Sequence, residues 1–313
     1  MQGDRLLVDN TMLATWRRCP RRFDYAWVRR RVPKRRSTAL TAGAAFAAAM
    51  QMFRAASLAG VAPGRAVDAA REALRREFDG VELAEVPPQH RPDRVEAGLA
   101  AYFSAFPPAL VAAETVETDL FLQRGVLPAW RDPAQPGRAL PETVYCGRLD
   151  ALVRDEDGQL WVLEEKTSAR AVSAEEAGTL VRLSGQMLGY AWLASAHYGT
   201  VAGVKYRCVV LRKEPTVVSA SVRLGADYLA AFERELRRDL KLLRSELLHR
   251  SGVGGARYFV RVRRERVLHW DCCMCPYRLP CAWPEAEAGL LETEFEENTW
   301  DPSQGAFDGE DAA

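Results

Sequence analysis

The chain has 313 residues, of which 48% are hydrophobic and 27% are charged, and its formal net charge is +1. No apolar run approaches the roughly 20 residues that a membrane-spanning helix needs, so we expect no membrane partner. The first residues, MQGDRLLVDNTML, lack the basic region and apolar stretch of a secretion signal, so the expected location is cytoplasmic. In that reducing compartment, seven cysteines favour metal ligation over disulfides.

Helical periodicity dominates the first third of the chain. It predicts helices over residues 11–28, 38–58, 64–78 and 92–105. The period then changes, and it predicts strands over residues 115–122, 143–153, 159–167 and 204–212. A capping-box pattern, Ser173 with Glu176, begins a long helix between the last two strands, and a second long helix covers about 224–250.

This order of elements predicts four segments. They are an N-terminal helical lobe (1–110), an α/β core (111–255), a cysteine-rich segment (256–285) and an acidic tail (286–313). From Glu285 onward the chain has ten acidic residues and no Lys or Arg, so we expect the tail to be disordered.

Positive charge is concentrated near the N-terminus. Ten Lys or Arg residues lie between positions 17 and 36, opposed only by Asp24. Such density attracts phosphate backbones, although a solvated face that aids solubility explains the same pattern. The arginines predicted to bind DNA are Arg17, Arg18, Arg21, Arg22, Arg29, Arg30 and Arg31.

The second and third predicted strands carry the candidate catalytic residues. Between them, Glu156-Asp157-Gly158 fits a three-residue hairpin loop that ends in a left-handed glycine. That loop fixes a register in which partner positions sum to 314, so Asp150 lies opposite Glu164. Lys166 shares the face of Glu164, whereas the side chain of Glu165 points away.

Two carboxylates and a lysine on one sheet face predict a site for a divalent cation. Carboxylate oxygens suit Mg²⁺ or Mn²⁺, and such an ion can activate water and neutralise charge on a phosphoryl group. The lysine can orient that water or stabilise the transition state. The alternative is an exposed hairpin with an ordinary cross-strand Lys–Glu pair.

The segments GRLDALV and WVLEEKTS resemble the Asp and (D/E)-x-K motifs of the PD-(D/E)XK nuclease superfamily. In GQMLGY, Gln186 and Tyr190 are one helical turn apart and reproduce the Q-x-x-x-Y motif of its RecB-like branch. That branch includes the AddB nuclease domain and CRISPR-associated RecB-like exonucleases. The resemblance implies a restriction-endonuclease-like αβββαβ core. It also implies a catalytic set of Asp150, Glu164, Lys166, Gln186 and Tyr190, with the metal held by Asp150, Glu164 and the backbone carbonyl of Glu165.

The cysteines extend this resemblance to the iron–sulfur members of the branch. In those members one N-terminal cysteine, in a C-P-x-x-F-x-Y segment like CPRRFDY here, joins three C-terminal cysteines around a 4Fe-4S cluster. The implied ligands are Cys19, Cys272, Cys275 and Cys281. Four thiolates suit such a soft-metal centre, and they would close a loop of roughly 250 residues.

Other assignments of the cysteines stay open. A structural Zn²⁺ on the same four sulfurs is the alternative to the cluster. Cys273 could replace Cys272, although the family spacing favours Cys272. Cys146 and Cys208 occur singly within strands and are predicted to be buried core residues.

One position departs from the family pattern. The resemblance implies a G-x-x-H element whose His binds the metal, but here Phe46 follows Gly43 at that spacing. Glu117 on the first strand is the best candidate to replace this ligand. Otherwise Asp150, Glu164 and waters hold the ion, or the domain binds DNA without cleaving it.

Two functions therefore follow from the resemblance. The first is a metal-dependent, iron–sulfur DNA nuclease, acting as an exonuclease on single-stranded ends in DNA repair, recombination or phage- or CRISPR-related DNA processing. The second is a non-catalytic DNA-binding subunit with a structural iron–sulfur or zinc site. Because the chain has no G-x-x-x-x-G-K-[ST] motif, any unwinding would come from a helicase or recombination partner.

Overall fold

The computed structural model describes residues 5–34, 37–131, 133, 139–252 and 270–301. The described α-helices are α1 (Asn10–Arg18), α2 (Pro20–Phe23), α3 (Thr38–Leu58), α4 (Pro63–Arg76), α5 (Pro92–Ala105), α6 (Pro108–Glu114), α7 (Ala174–Leu183), α8 (Gly185–Tyr198), α9 (Ala226–Gly252), α10 (Trp270–Cys273), α11 (Arg278–Ala282) and α12 (Glu287–Thr293). The described strands are β1 (Arg5–Val8), β2 (Arg31–Pro33), β3 (Thr115–Leu127), β4 (Trp130–Arg131), β5 (Ala139–Leu140), β6 (Glu142–Arg154), β7 (Leu160–Ser168), β8 (Gly203–Val210), β9 (Thr216–Arg223) and β10 (Phe295–Glu297).

The chain divides into two compact units, each built from separate stretches of sequence. The first unit comprises Met1–Arg35, Gln123–Cys146 and Ala231–Pro302. Among the described residues, the second comprises stretches within Arg36–Leu122 and Gly147–Ala230. Among the described helices, no single one is long and apolar enough to cross a membrane, and only α5 with α6, bent by 74°, passes that test as a pair.

In the first unit, the predicted helix over 11–28 is interrupted. Asp9 caps α1 by accepting a hydrogen bond from Met12 N at 2.7 Å. Cys19 then adopts an extended conformation with φ −158°, because the following Pro20 disfavours a helical conformation in the residue before it. The chain resumes as α2 and one π-helical turn, Asp24–Val28.

The acidic tail is ordered over residues 287–301, so the prediction of disorder is wrong for that stretch. Strand β10 pairs antiparallel with β2. Two apolar residues, Leu291 and Phe295, are 6% and 4% exposed, and Phe295 stacks on Tyr277 with ring centroids 5.0 Å apart. Burial of these two apolar side chains stabilises the segment, although its overall composition is acidic.

In the second unit, the predicted helices over 38–58 and 92–105 are confirmed as α3 and α5. Alanines on one side of α3 allow α4 and α5 to pack closely against it. The resulting cluster also includes Val209 of β8, and we call it the α3 core. Its buried members from α3 are Ala42, Ala45, Phe46, Ala49, Met50 and Phe53.

The sheet of the second unit has the strand order β6-β7-β8-β9. Strands β6 and β7 pair antiparallel from Ala151↔Leu163 to Arg154↔Leu160, and Gly158 in their loop has φ +77°. The predicted register and left-handed glycine are therefore confirmed. Strand β8 is parallel to β7 and antiparallel to β9.

The predicted long helix after β7 is divided into α7 and α8 at Ser184, which is extended with ψ 115°. The capping box at Ser173 and Glu176 is confirmed. Ser184 accepts a hydrogen bond from Met187 N at 3.4 Å and so caps α8. This break sets the direction of the helix that carries Gln186 and Tyr190.

Candidate active site

The structure brings Asp150, Glu164 and Lys166 together at the end of the β6–β7 hairpin. The Lys166 ammonium forms an ion pair with Glu164 Oε1. Asp150 Oδ2 accepts a hydrogen bond from the backbone N of Glu165 at 2.7 Å, and the Asp150 carbonyl accepts one from Thr118 Oγ1 at 3.0 Å. The first of these bonds orients the Asp150 carboxylate towards β7, and the second anchors the Asp150 backbone to β3.

The Glu164 carboxylate is buried and poorly satisfied. Its side chain is 1% exposed, and within the described part of the chain neither oxygen accepts a well-directed hydrogen bond, despite the nearby ammonium. Burial, together with the nearby Asp150 charge and against the opposing effect of Lys166, raises the pKa of Glu164 to about 8. A buried carboxylate beside a second one is costly without a cation, so this pair of oxygen donors fits Mg²⁺ or Mn²⁺.

Lys166 is the member of this group that reaches solvent. Its side chain is 42% exposed. Burial acts to lower the pKa of Lys166, but the charges of Glu164 and Asp150 outweigh it, and the pKa lies above its ordinary value. The side chain is therefore a cation that a substrate phosphate can reach.

The Glu165 side chain points to the other face of β7, as predicted. Arg54 of α3 donates two hydrogen bonds to it, Nη1 to Oε2 at 2.6 Å and Nη2 to Oε1 at 2.8 Å. Tyr102 OH accepts from Arg207 Nη1 at 2.8 Å and lies 3.5 Å from Arg54 Nη2. This buried network ties α3 to the strand that carries Glu164 and Lys166.

Sequence reasoning missed Arg54, although a signal was present. Arg54 is the one charged residue in the sequence of α3, and its side chain is 1% exposed. A single arginine in an Ala- and Phe-rich helix requires a buried acidic partner. The sequence does not identify which acidic residue that partner is.

Gln186 and Tyr190 are paired on α8. Gln186 Nε2 donates a hydrogen bond to Tyr190 OH at 3.0 Å. The Tyr190 ring occupies the space where a side chain at Gly147 would lie, since a Cβ there would be 2.6 Å from Cε1 of the ring. Tyr190 thus packs against the strand that carries Asp150.

The structure shows the contacts of the two residues considered for the position of the missing histidine. Phe46 is 1% exposed in the α3 core, where its ring meets that of Tyr102 at 5.8 Å between centroids. Glu117 is exposed, and its Oε2 accepts a hydrogen bond from Tyr198 OH at 2.8 Å. The Glu117 carboxylate is therefore already engaged by Tyr198 of α8.

The four predicted cluster cysteines lie near one another in the first unit. Burial raises the pKa of Cys275 and Cys281, and the charges of Cys19 and Cys272 raise both further. Cys275 N donates a hydrogen bond to the Cys272 carbonyl at 3.2 Å, whereas Cys273 is exposed. Within the described ranges, no three His, Cys, Asp or Glu side chains are already arranged around one metal position.

The remaining cysteines behave as predicted. Cys146 and Cys208 are each 0% exposed, and burial raises the pKa of both thiols. They are core residues of β6 and β8.

Several arginines of the basic segment are held by groups of the first unit. Arg17 pairs with Asp239, Arg21 with Glu287, Arg29 with Asp24 and Glu287, and Arg30 donates to the Asn298 carbonyl. Arg21 and Arg22 also lower the pKa of Cys281 and Cys275, respectively. Part of the predicted DNA-binding charge is therefore neutralised within the protein or directed at the cysteines.

The chain belongs to the PD-(D/E)XK nuclease superfamily, whose family model matches residues 10–282. This superfamily consists of phosphodiester-hydrolysing nucleases that generally use Mg²⁺ or Mn²⁺, which agrees with the carboxylate and lysine set on the hairpin. A search of curated proteins finds no match.

Two crystal structures are similar to this chain. One, described as a "Putative exonuclease" from Eubacterium rectale, is 11% identical, with a TM-score of 0.45, covering 76% of this chain and 81% of that chain. The other, of SSO0001, is 15% identical, with a TM-score of 0.36, covering 89% of this chain and 86% of that chain.

Proposed function

We propose that this nuclease is a metal-dependent exonuclease that degrades single-stranded DNA from its ends, stabilised by a 4Fe-4S cluster. The observation that carries the catalytic part is the buried Glu164 carboxylate beside Asp150 and Lys166, which receives no well-directed hydrogen bond from the residues that the structure describes. A buried carboxylate without hydrogen bonds is unfavourable on its own, and a bound cation would offset this cost.

Asp150, Glu164 and the backbone carbonyl of Glu165 would hold the ion, which would polarise the phosphoryl oxygen and lower the pKa of water when bound. The Asp150 carboxylate is already oriented by the hydrogen bond that it accepts from the Glu165 N–H. Water would complete the ligand set, since Mg²⁺ commonly keeps several waters in protein sites. Glu117 is a weaker candidate ligand because it is bonded to Tyr198.

Lys166 would act on the phosphate itself. Its ammonium is next to the carboxylates and half in solvent, so it can donate to a non-bridging phosphate oxygen or to the attacking water. That interaction strengthens as negative charge develops in the transition state. Gln186 and Tyr190, paired on α8, would support the site or contact the DNA strand.

The cluster proposal rests on the chemistry and grouping of the thiols. Four half-buried cysteines from the two ends of the chain interact electrostatically, and Arg21 and Arg22 would offset the negative charge of thiolates bound to iron. The thiols would have to converge further to bind metal, because no three-ligand arrangement is present among the described residues. Zn²⁺ on the same sulfurs remains the alternative.

Cleavage of end-labelled single-stranded DNA, with linear and circular substrates, tests the nuclease proposal. We expect degradation of the linear strand with Mg²⁺ or Mn²⁺ and none without added ion. Glu164→Gln should lose metal binding and cleavage while keeping its stability, because it removes a buried charge without changing side-chain size. Cleavage of the circle would contradict the exonuclease assignment, and DNA binding without cleavage would favour the non-catalytic subunit.

A further inference from the structure

A cavity of about 430 Å³ lies in the second unit at the ends of β7 and β8. Because these strands are parallel, their carboxyl ends meet at the same edge of the sheet, which is where open α/β sheets bind ligands. The volume of the cavity falls within the usual range for small-ligand sites. Residues lining it include Gln89, Arg94, Ala169, Leu211, Arg212 and Lys213.

Three of the lining residues are cations, and no acidic residue lines the cavity. Arg94 Nη1 donates to the carbonyl of Arg212 at 2.5 Å and also to the carbonyl of Lys213. These bonds fix the backbone of the loop between β8 and β9 and leave the side chains of Arg212 and Lys213 exposed. No salt bridge engages either side chain within the described part of the chain.

The cavity lies beyond the end of β7, on the side of the sheet that faces the α3 core, since Leu211 is a member of that core. Ala169 follows Lys166 by three residues, and a strand advances about 3.3 Å per residue, so the cavity begins about 10 Å beyond Lys166 along the strand. A nucleic-acid strand that reaches both Lys166 and the cavity would therefore pass around the carboxyl end of β7. Leu211 N donates to the Ser168 carbonyl at 2.7 Å, which joins the ends of β7 and β8 next to the cavity. At a rise of about 3.4 Å per nucleotide along one strand, this distance corresponds to about three nucleotides.

We propose that this cavity is a subsite for the sugar-phosphate backbone of the nucleic-acid strand that is cut at Lys166. The proposal rests on the proposed function, because it places the reacting phosphate beside Lys166. Guanidinium and ammonium groups without acidic partners attract phosphate and release its counterions. The subsite would bind without regard to base sequence, since charge rather than base-edge contacts provides the attraction.

The test compares two charge-matched double variants of the full-length protein. Arg212→Ala/Lys213→Ala removes two cavity cations, whereas Arg65→Ala/Arg154→Ala removes two exposed cations outside the cavity. Binding of a fluorescent oligothymidylate is measured by anisotropy at several salt concentrations without added divalent ion. If the first variant fails to fold, Lys213→Gln alone, at an exposed position, replaces it.

We expect the cavity variant to bind roughly three- to tenfold more weakly, and its salt dependence to decrease by up to about 1.4 log units per log unit of salt, the contribution of two phosphates on a single strand. In cleavage assays its KM should rise while kcat stays the same. The control variant should behave like the wild type. Equal losses in both variants, or none in either, would overturn the subsite. A wild type that binds but never cleaves would instead refute the proposed function. The binding comparison would still show whether the cavity binds the nucleic-acid strand.

Discussion

Replacing Arg54 with methionine should strongly destabilise the protein, because it removes one partner of a buried ion pair. The side chains of Arg54 and Glu165 are 1% and 3% exposed, and two hydrogen bonds of 2.6 and 2.8 Å join them. The variant leaves the Glu165 carboxylate buried without its partner, which costs about 3–5 kcal/mol of unfolding free energy. Replacing both residues with methionine should restore most of this loss, since two apolar side chains carry no desolvation cost.

Urea unfolding of the single and double variants measures both free energies. Arg76→Met is the matched control, because Arg76 and Glu72 form an ion pair whose side chains are each 66% exposed, and it should change stability very little. A loss below about 1 kcal/mol for the single variant, or a double variant as unstable as the single one, would refute this reasoning.

The same ion pair predicts a pH dependence. Burial acts to raise the pKa of Glu165, but Arg54 outweighs it and holds the pKa below the ordinary value of 4.5. A lowered carboxyl pKa stabilises the folded state above pH 4.5, and this contribution disappears as the pH falls through the folded-state value. The stability of the wild type relative to the double variant should therefore decrease below pH 4.5. A difference that stays constant down to pH 3 would mean that the pKa of Glu165 is not lowered in the folded protein.

Four further substitutions test the two proposed centres. Lys166→Ala should lower kcat by about 100-fold or more while DNA binding persists, because the ammonium acts mainly in the transition state; a parallel loss of binding would contradict this role. Phe46→His should destabilise the α3 core and leave metal titration curves of cleavage unchanged, since the ring packs on Tyr102; tighter metal binding would place position 46 at the site. Cys281→Ala should lose iron from anaerobically purified protein, whereas Cys273→Ala should keep it; stoichiometric zinc without iron in the wild type would favour the alternative metal.

The register of the β6–β7 hairpin was predictable from local sequence. A strand has a period of two, and a three-residue loop permits one register, so local chemistry placed Asp150 opposite Glu164 and Glu165 on the other face. The pairing of Ala151 with Leu163 agrees with that register. Helix α3 was also predictable, because its alanine-rich sequence has high intrinsic helix propensity.

The residues that support the hairpin, and the packing of the acidic segment around Phe295, depend on contacts between positions far apart in the sequence. Arg54 meets Glu165 across 111 residues, a distance over which no periodicity or loop geometry acts. Glu165→Gln should therefore weaken a buried ion pair, although the Glu165 side chain points off the face that carries Glu164 and Lys166. The acidic segment around Phe295 was predicted to be disordered because composition averages charge over a stretch. Folding of this segment depends on the packing of two apolar side chains, Leu291 and Phe295, against a buried surface that includes the Tyr277 ring.

The position of the missing histidine is a similar case. Sequence spacing aligned Phe46 with a metal ligand, whereas packing within the α3 core determined the position of its ring.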